Sequence, residues 1–223
     1  MIAQALVAAA LVASFGVAPA VVPISCDVDD ATLTWGFKES FRSYISGTIA
    51  NGEWTVSDGA TYETPNFGFT NGTGSYGDAG NRVSFEGAIR FTGHGGILDT
   101  TVSDPRIEWS GANGTLYLSV TGTTQEGVPI DEFGVPFATL VLPTDPPTFD
   151  EVTVTLTDEG AAAFGTYEAG EAFDPLTLEL NLAGDCALTR AEGPPIGWIA
   201  GGAAVVVAAV VTGFIIVRRR RLR

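Results

Sequence analysis

The sequence predicts a mainly β domain: an antiparallel sandwich or partly closed barrel with one or two short helices, followed by one C-terminal transmembrane helix. Three observations lead there. From Gly47 to Leu182 short apolar–polar alternations are punctuated by glycine, the period of half-buried strands. One early stretch changes to a spacing of three and four, the helical period. Two uncharged segments flank this region, residues 1–25 and 196–217.

The first flank, residues 1–20, is expected to be a signal peptide. It is alanine-rich and ends in Ala18-Pro19-Ala20, which fits the small-residue cleavage pattern of secreted chains. Only the amino terminus supplies positive charge, so an uncleaved anchor is the alternative. Lipid attachment at Cys26 is disfavoured, because Pro23-Ile24-Ser25 is a poor lipobox. The domain itself is placed at residues 26–190. Cys26 and Cys186 bracket it, and outside the cytoplasm they are expected to pair. A bridge closing that loop is worth at most ~5 kcal/mol; no C-x-x-C supports a redox role.

Within Leu33–Ile45, Phe37, Phe41, Tyr44 and Ile45 recur at helical spacing, and Ser40 stands one turn before Tyr44 on the same face. Val83, Phe85, Gly87, Ile89 and Phe91 alternate as one strand, with Arg82, Ser84, Glu86 and Arg90 on its other side. Gly93-His94-Gly95-Gly96 then turns the chain into a return strand, Ile97–Val102. Asn113-Gly114 is read as a hairpin turn joining Arg106–Trp109 to Thr115–Val120. Further strands are expected at Phe137–Leu142, Val152–Leu156 and Leu176–Leu182, and a helix at Asp158–Phe164 with Asp158 as its cap.

Residues 191–195, with Gly193-Pro194-Pro195, form a hinge, and 196–217 form the membrane span. At 1.5 Å per residue a helix of that length reaches about 33 Å, enough for a hydrocarbon core. Trp198 marks one end; Arg218, Arg219, Arg220, Arg221 and Arg223 mark the other, in the tail 218–223. The positive-inside rule puts that tail in the cytoplasm and the domain outside, as a single-pass cell-membrane protein. Gly197 and Gly201 form a G-x-x-x-G that favours helix pairing and so a homodimer.

Charge excludes several functions. Between Cys26 and Pro195 lie all 26 acids against six bases, a net charge of −20, so nucleic acid is no partner. One histidine and two distant cysteines are too few for a zinc, copper or iron–sulfur site. Phosphate-loop and G-x-S-x-G motifs are missing. Twenty-six acids make some carboxylate pair inevitable, so a glycan-cleaving enzyme gains no support from counting them.

Two strings are unusual: Thr34-Trp-Gly-Phe-Lys-Glu-Ser-Phe-Arg-Ser-Tyr-Ile45 with Gly52-Glu-Trp-Thr-Val-Ser-Asp-Gly-Ala60, and Phe91-Thr-Gly-His-Gly-Gly-Ile-Leu-Asp-Thr-Thr-Val-Ser-Asp-Pro-Arg-Ile107. A third runs from Leu156-Thr-Asp-Glu-Gly-Ala through Phe164 and Tyr167-Glu-Ala-Gly170 to Asp174-Pro-Leu176. Together they resemble the HtaA-type haem-uptake domain of bacterial cell surfaces over about residues 32–182. The resemblance implies a non-enzymatic, membrane-anchored protein that captures ferric haem b and passes it to a haem-receiving lipoprotein of an ABC permease, with host haemoproteins as possible donors. It implies Tyr44 as the axial iron ligand, His94 as its hydrogen-bond partner, Ser40 as a propionate contact and Tyr167 in the pocket; the apolar wall of the pocket would draw on Phe41 with Phe37, Phe91 and Phe164. Where the family often has an aromatic before that second tyrosine, this chain has Thr166.

The chemistry is coherent by itself. Ferric iron is a hard cation and phenolate a hard anionic oxygen. An imidazole beside the phenolate orients it and tunes its donor strength. Three alternatives stay open on the residues alone. His94 as the iron ligand with Tyr44 distal is one. An adhesion or protein-interaction module without cofactor is another, and plain core packing for Phe37, Phe41, Phe91 and Phe164 is the third. Arg42 is a further propionate candidate by helix geometry.

Overall fold

The computed structural model of the chain describes residues 25–77, 80–143 and 147–182. The expected signal segment, the hinge, the membrane span, the arginine tail and Cys186 lie outside these residues. Among the described residues no helix is long and apolar enough to cross a membrane.

Twelve strands and two helices follow in chain order: β1 Ser25–Trp35, α1 Glu39–Ser46, β2 Glu53–Ser57, β3 Thr61–Glu63, β4 Asn66–Phe69, β5 Thr73–Gly77, β6 Asn81–Ser84, β7 Ala88–Gly93, β8 Leu98–Ser110, β9 Asn113–Thr123, β10 Pro129–Val141, β11 Thr148–Leu156, α2 Asp158–Phe164 and β12 Ala172–Leu182. All pairings are antiparallel, in the order β12-β11-β10-β9-β8-β6-β5-β1-β4-β3. β12 also pairs with β1. The sheet is therefore one partly ringed layer, neither two facing sheets nor a regular barrel.

Cross-strand pairs such as Leu33–Leu178 and Trp35–Leu176 line the core. Burial of each such side chain is worth about 1.5–3 kcal/mol.

Two strand expectations need correction. Residues 82–91 are two strands: Phe85–Gly87 breaks them, and β6 and β7 pair with different lengths of the long strand β8. Gly87 sits at φ +142, and a Cβ there would come within 2.8 Å of Phe69. Period-two alternation survives this break, which is why it reads as continuous. The β8–β9 turn is Gly111-Ala112, between the paired Ser110 and Asn113. Asn113-Gly114 lies one step beyond, inside β9, where Leu142 and Trp109 leave no room for a side chain at Gly114.

The helix α2 falls at the expected residues, but its cap is Thr157, whose hydroxyl accepts from the Gly160 N–H at 2.9 Å. The early helix is shorter than expected. Leu33–Trp35 ends β1, and Phe37 stands at the corner with φ +62, a strained conformation for a bulky residue. Its ring is fully buried among Trp35, Phe41, Phe91, Phe137, Phe164 and Phe173, at 4.9–6.2 Å between centroids. That packing holds the corner and aims α1 across the sheet.

Candidate functional site

The helix α1 has no side-chain cap of its own. Asp174, far along the chain, accepts from the Glu39 N–H at 3.0 Å through Oδ1 and from Arg42 Nη2 at 3.0 Å through Oδ2. A carboxylate at a helix N-terminus satisfies free N–H groups and the helix dipole together. The helix so fixed has three faces. Phe41 and Ile45 enter the core. Glu39, Arg42, Ser43 and Ser46 line a cleft of about 700 Å³ with Trp54 and Tyr62. Ser40 and Tyr44 stand on the remaining face.

That face meets three other segments. His94 follows β7 at φ +52, its backbone N–H donating to Ala50 O at 2.7 Å. Its Nε2 makes a short hydrogen bond with the Tyr44 hydroxyl. The β9–β10 loop brings Gln125, whose Oε1 accepts from the Tyr44 hydroxyl at 3.2 Å. Thr124, nearly buried, shapes that loop by accepting the N–H groups of Glu126 and Val128 at 3.2 and 3.3 Å. The segment after α2 supplies Tyr167, whose hydroxyl lies 3.3 Å from Ser40 Oγ.

The phenol has a single proton. With that proton on Gln125 Oε1, His94 Nε2 carries the hydrogen and donates to the phenol oxygen. A donor imidazole held in this way stabilises a phenolate when the proton leaves. In the free protein the Tyr44 phenol is held above its ordinary value: burial raises it most, followed by the charges of Glu126 and Tyr167. Glu126 is itself held below the ordinary carboxyl range, first by its hydrogen bond with Thr124, so it stays anionic and opposes ionisation of Tyr44.

All five expected residues thus converge, in two pairs and a support: Tyr44 with His94, Ser40 with Tyr167, and Phe41 behind both. Phe41 is 1% exposed, and its ring lies 6.2 Å from Tyr44 and 6.4 Å from Tyr167; it backs the site. Phe37, Phe91 and Phe164 are likewise core. Arg42 points into the other cleft, held by Asp174 and Pro65 O, so it is no propionate partner for this face. Gln125 was missed by sequence reading: it lies in a polar loop with no periodicity or motif to mark it.

Among the described residues no group of three or more His, Cys, Asp or Glu side chains can hold a metal ion. One phenol and one imidazole, bonded to each other, are too sparse for a bare ion. They fit a metal that brings its own equatorial ligands in a flat macrocycle.

A ringed antiparallel domain that presents a phenol–imidazole pair from a short helix and a glycine turn defines the class. By sequence, the chain belongs to the HtaA family: the family model described as Htaa matches residues 30–179. Solved structures agree. The C-terminal domain of HtaA from Corynebacterium glutamicum is 31% identical, covers 71% of this chain and 99% of its own, and superposes with a TM-score of 0.63. The N-terminal domain of the same protein is 36% identical over 70% and 98%, with a TM-score of 0.62. The haem-binding protein HtaB from that organism is 25% identical over 72% and 98%, with a TM-score of 0.59. No curated protein matches the chain in sequence.

Proposed function

We propose that this chain is an extracytoplasmic, membrane-anchored haem-binding protein that holds ferric haem b through Tyr44 and passes it on for iron uptake, without catalysis. The Tyr44–His94 hydrogen bond carries the reading: it supplies an oriented anionic ligand where the family relatives include a named haem-binding protein. Haem, when bound, would supply a Lewis-acidic ferric iron, which the Tyr44 oxygen would hold with His94 supporting that oxygen. Ser40 and Tyr167 offer a hydroxyl pair to a propionate. Ile97 and Val128, each 55% exposed, flank the His94 and Gln125 segments and offer an apolar rim to the porphyrin face.

Anchoring rests on the uncharged span 196–217 and its arginine tail. Protease added to intact cells should therefore remove the domain and spare the tail. The receiving partner is proposed to be the lipoprotein of an ABC permease, host haemoproteins the donors, and pairing through Gly197 and Gly201 a route to a homodimer. The pairing of Cys26 with Cys186 remains part of the proposal.

His94→Ala is expected to shift the charge-transfer band of the ferric complex and weaken haem by roughly 10–100-fold, the usual cost of losing a ligand's hydrogen-bond partner. Complete loss of ligation, measured by visible absorption titration, would make His94 itself the iron ligand.

The pH dependence has a definite sign. Ligation requires Tyr44 to lose its proton, so below the phenol pKa haem affinity rises with pH, by about tenfold per unit for one proton released. Glu126→Gln removes a neighbouring negative charge, which eases ionisation. Its acid-release midpoint, followed by the Soret band, should move to lower pH; a move upward contradicts the assignment. The same raised phenol contributes fold stability that is fully present below about pH 10 and lost as pH climbs through the folded value.

A further inference from the structure

A porphyrin with two propionates carries negative charge into a stretch, Cys26 to Pro195, whose acids outnumber its bases by 26 to six. Something must offset that repulsion at the propionate end. Among the described residues the arginines are engaged elsewhere: Arg42 with Asp174, Arg90 with Asp99, and Arg82 and Arg106 with Glu108. Lys38 is ion-paired too, with Glu171 at 2.9 Å, but it is the base that lies against Tyr167. It is 9% exposed, and its ammonium lies 4.9 Å from the centroid of the Tyr167 ring and 5.4 Å from that of Phe173. Tyr167 is the residue whose hydroxyl meets Ser40.

We infer that Lys38 is the positioning residue of the propionate seat, setting Tyr167 beneath its ammonium and giving the Ser40–Tyr167 hydroxyl pair a local preference for a carboxylate. The inference rests on the reading of that pair as a propionate contact. Its chemistry is on the molecule. An ammonium has three N–H donors; one goes to Ala172 O at 2.7 Å and one to Glu171 Oε1 at 2.9 Å. The rings of Tyr167 and Phe173 lie against the same ammonium. A cation over the face of a tyrosine is attracted to it, more strongly when desolvated, and the ring is thereby held with its hydroxyl at Ser40. A cation behind a phenol also makes its O–H a stronger donor to an anion. Glu171, with a side chain 48% exposed, partly neutralises the ammonium from the solvent side.

The test uses metal-free protoporphyrin IX and its dimethyl ester, titrated into the purified full chain by fluorescence, so that the Tyr44–iron bond plays no part. Wild type should prefer the diacid. Lys38→Met should lose that preference by roughly tenfold, the worth of one charge-assisted contact, and Lys38→Arg should recover most of it. Should Lys38→Met fail to fold by near-UV circular dichroism, Glu171→Gln decides. By releasing the ammonium it should raise the preference for the diacid and leave ester binding unchanged. A preference that persists in folded Lys38→Met, or stays fixed in Glu171→Gln, overturns the role of Lys38 alone. A wild type that binds diacid and ester alike overturns the propionate seat with it.

Discussion

Tyr44→Ala is expected to abolish the coordinated ferric spectrum and to weaken haem by more than about hundredfold, while the domain stays folded. The bound is physical: losing only a ligand's hydrogen-bond partner costs about 10–100-fold, and here the ligand itself goes. The fold should tolerate the change because Tyr44 is half-buried at the edge of the aromatic cluster, where its hydroxyl bonds only to His94 and Gln125. Haemin titration and near-UV circular dichroism on the same sample separate the two effects. Undiminished affinity with a native spectrum would remove Tyr44 from the iron.

Phe37→Ala should be the most damaging substitution to stability, at about 3–5 kcal/mol, the usual cost of emptying a buried phenylalanine site. For a domain of this size that lowers the melting temperature by roughly 6–20 °C. Phe37→Gly sharpens the point. Glycine is the smaller residue and normally the less stable choice, yet at φ +62 it escapes the left-handed penalty of about 1–2 kcal/mol that alanine incurs. Phe37→Gly is therefore expected to melt no lower than Phe37→Ala. A clearly lower melting temperature for the glycine variant would mean that the corner is not strained.

How far the site could be read beforehand follows from what motifs encode. Tyr44 and His94 lie 50 residues apart and meet in the fold; the pair is legible beforehand because each residue sits in a short unusual string that the family resemblance identifies. Alternation located most strands, and the three alanines located α2. The start of α1 was hidden because its cap comes from Asp174 on β12, a contact no local pattern announces. The corner at Phe37 was hidden for a related reason: its left-handed backbone is maintained by distant rings, against its own preference. Arg42 is only a propionate candidate by helix spacing, which leaves the direction of a long side chain open. Asp174 and Pro65 draw it into the second cleft.

Lys38, Asp174 and Phe37 together show how the short helix serves its site. Phe37 turns the chain, Asp174 starts the helix, and Lys38 spans from the residue just before the helix to the segment bearing Tyr167. The Asp174 contact alone crosses 135 residues of sequence, so the tertiary structure, and not helix propensity, maintains α1. A helix held this way presents Tyr44 with little freedom, which lowers the ordering cost of ligation.

Resonance Raman spectroscopy of the ferric-haem complex, excited in its charge-transfer band, reads the ligand on the iron itself. The account predicts enhanced ring modes of a coordinated tyrosinate in the wild type and their loss in Tyr44→Phe. Tyrosinate modes that survive in Tyr44→Phe, or a wild-type spectrum showing only nitrogen ligation, would contradict it.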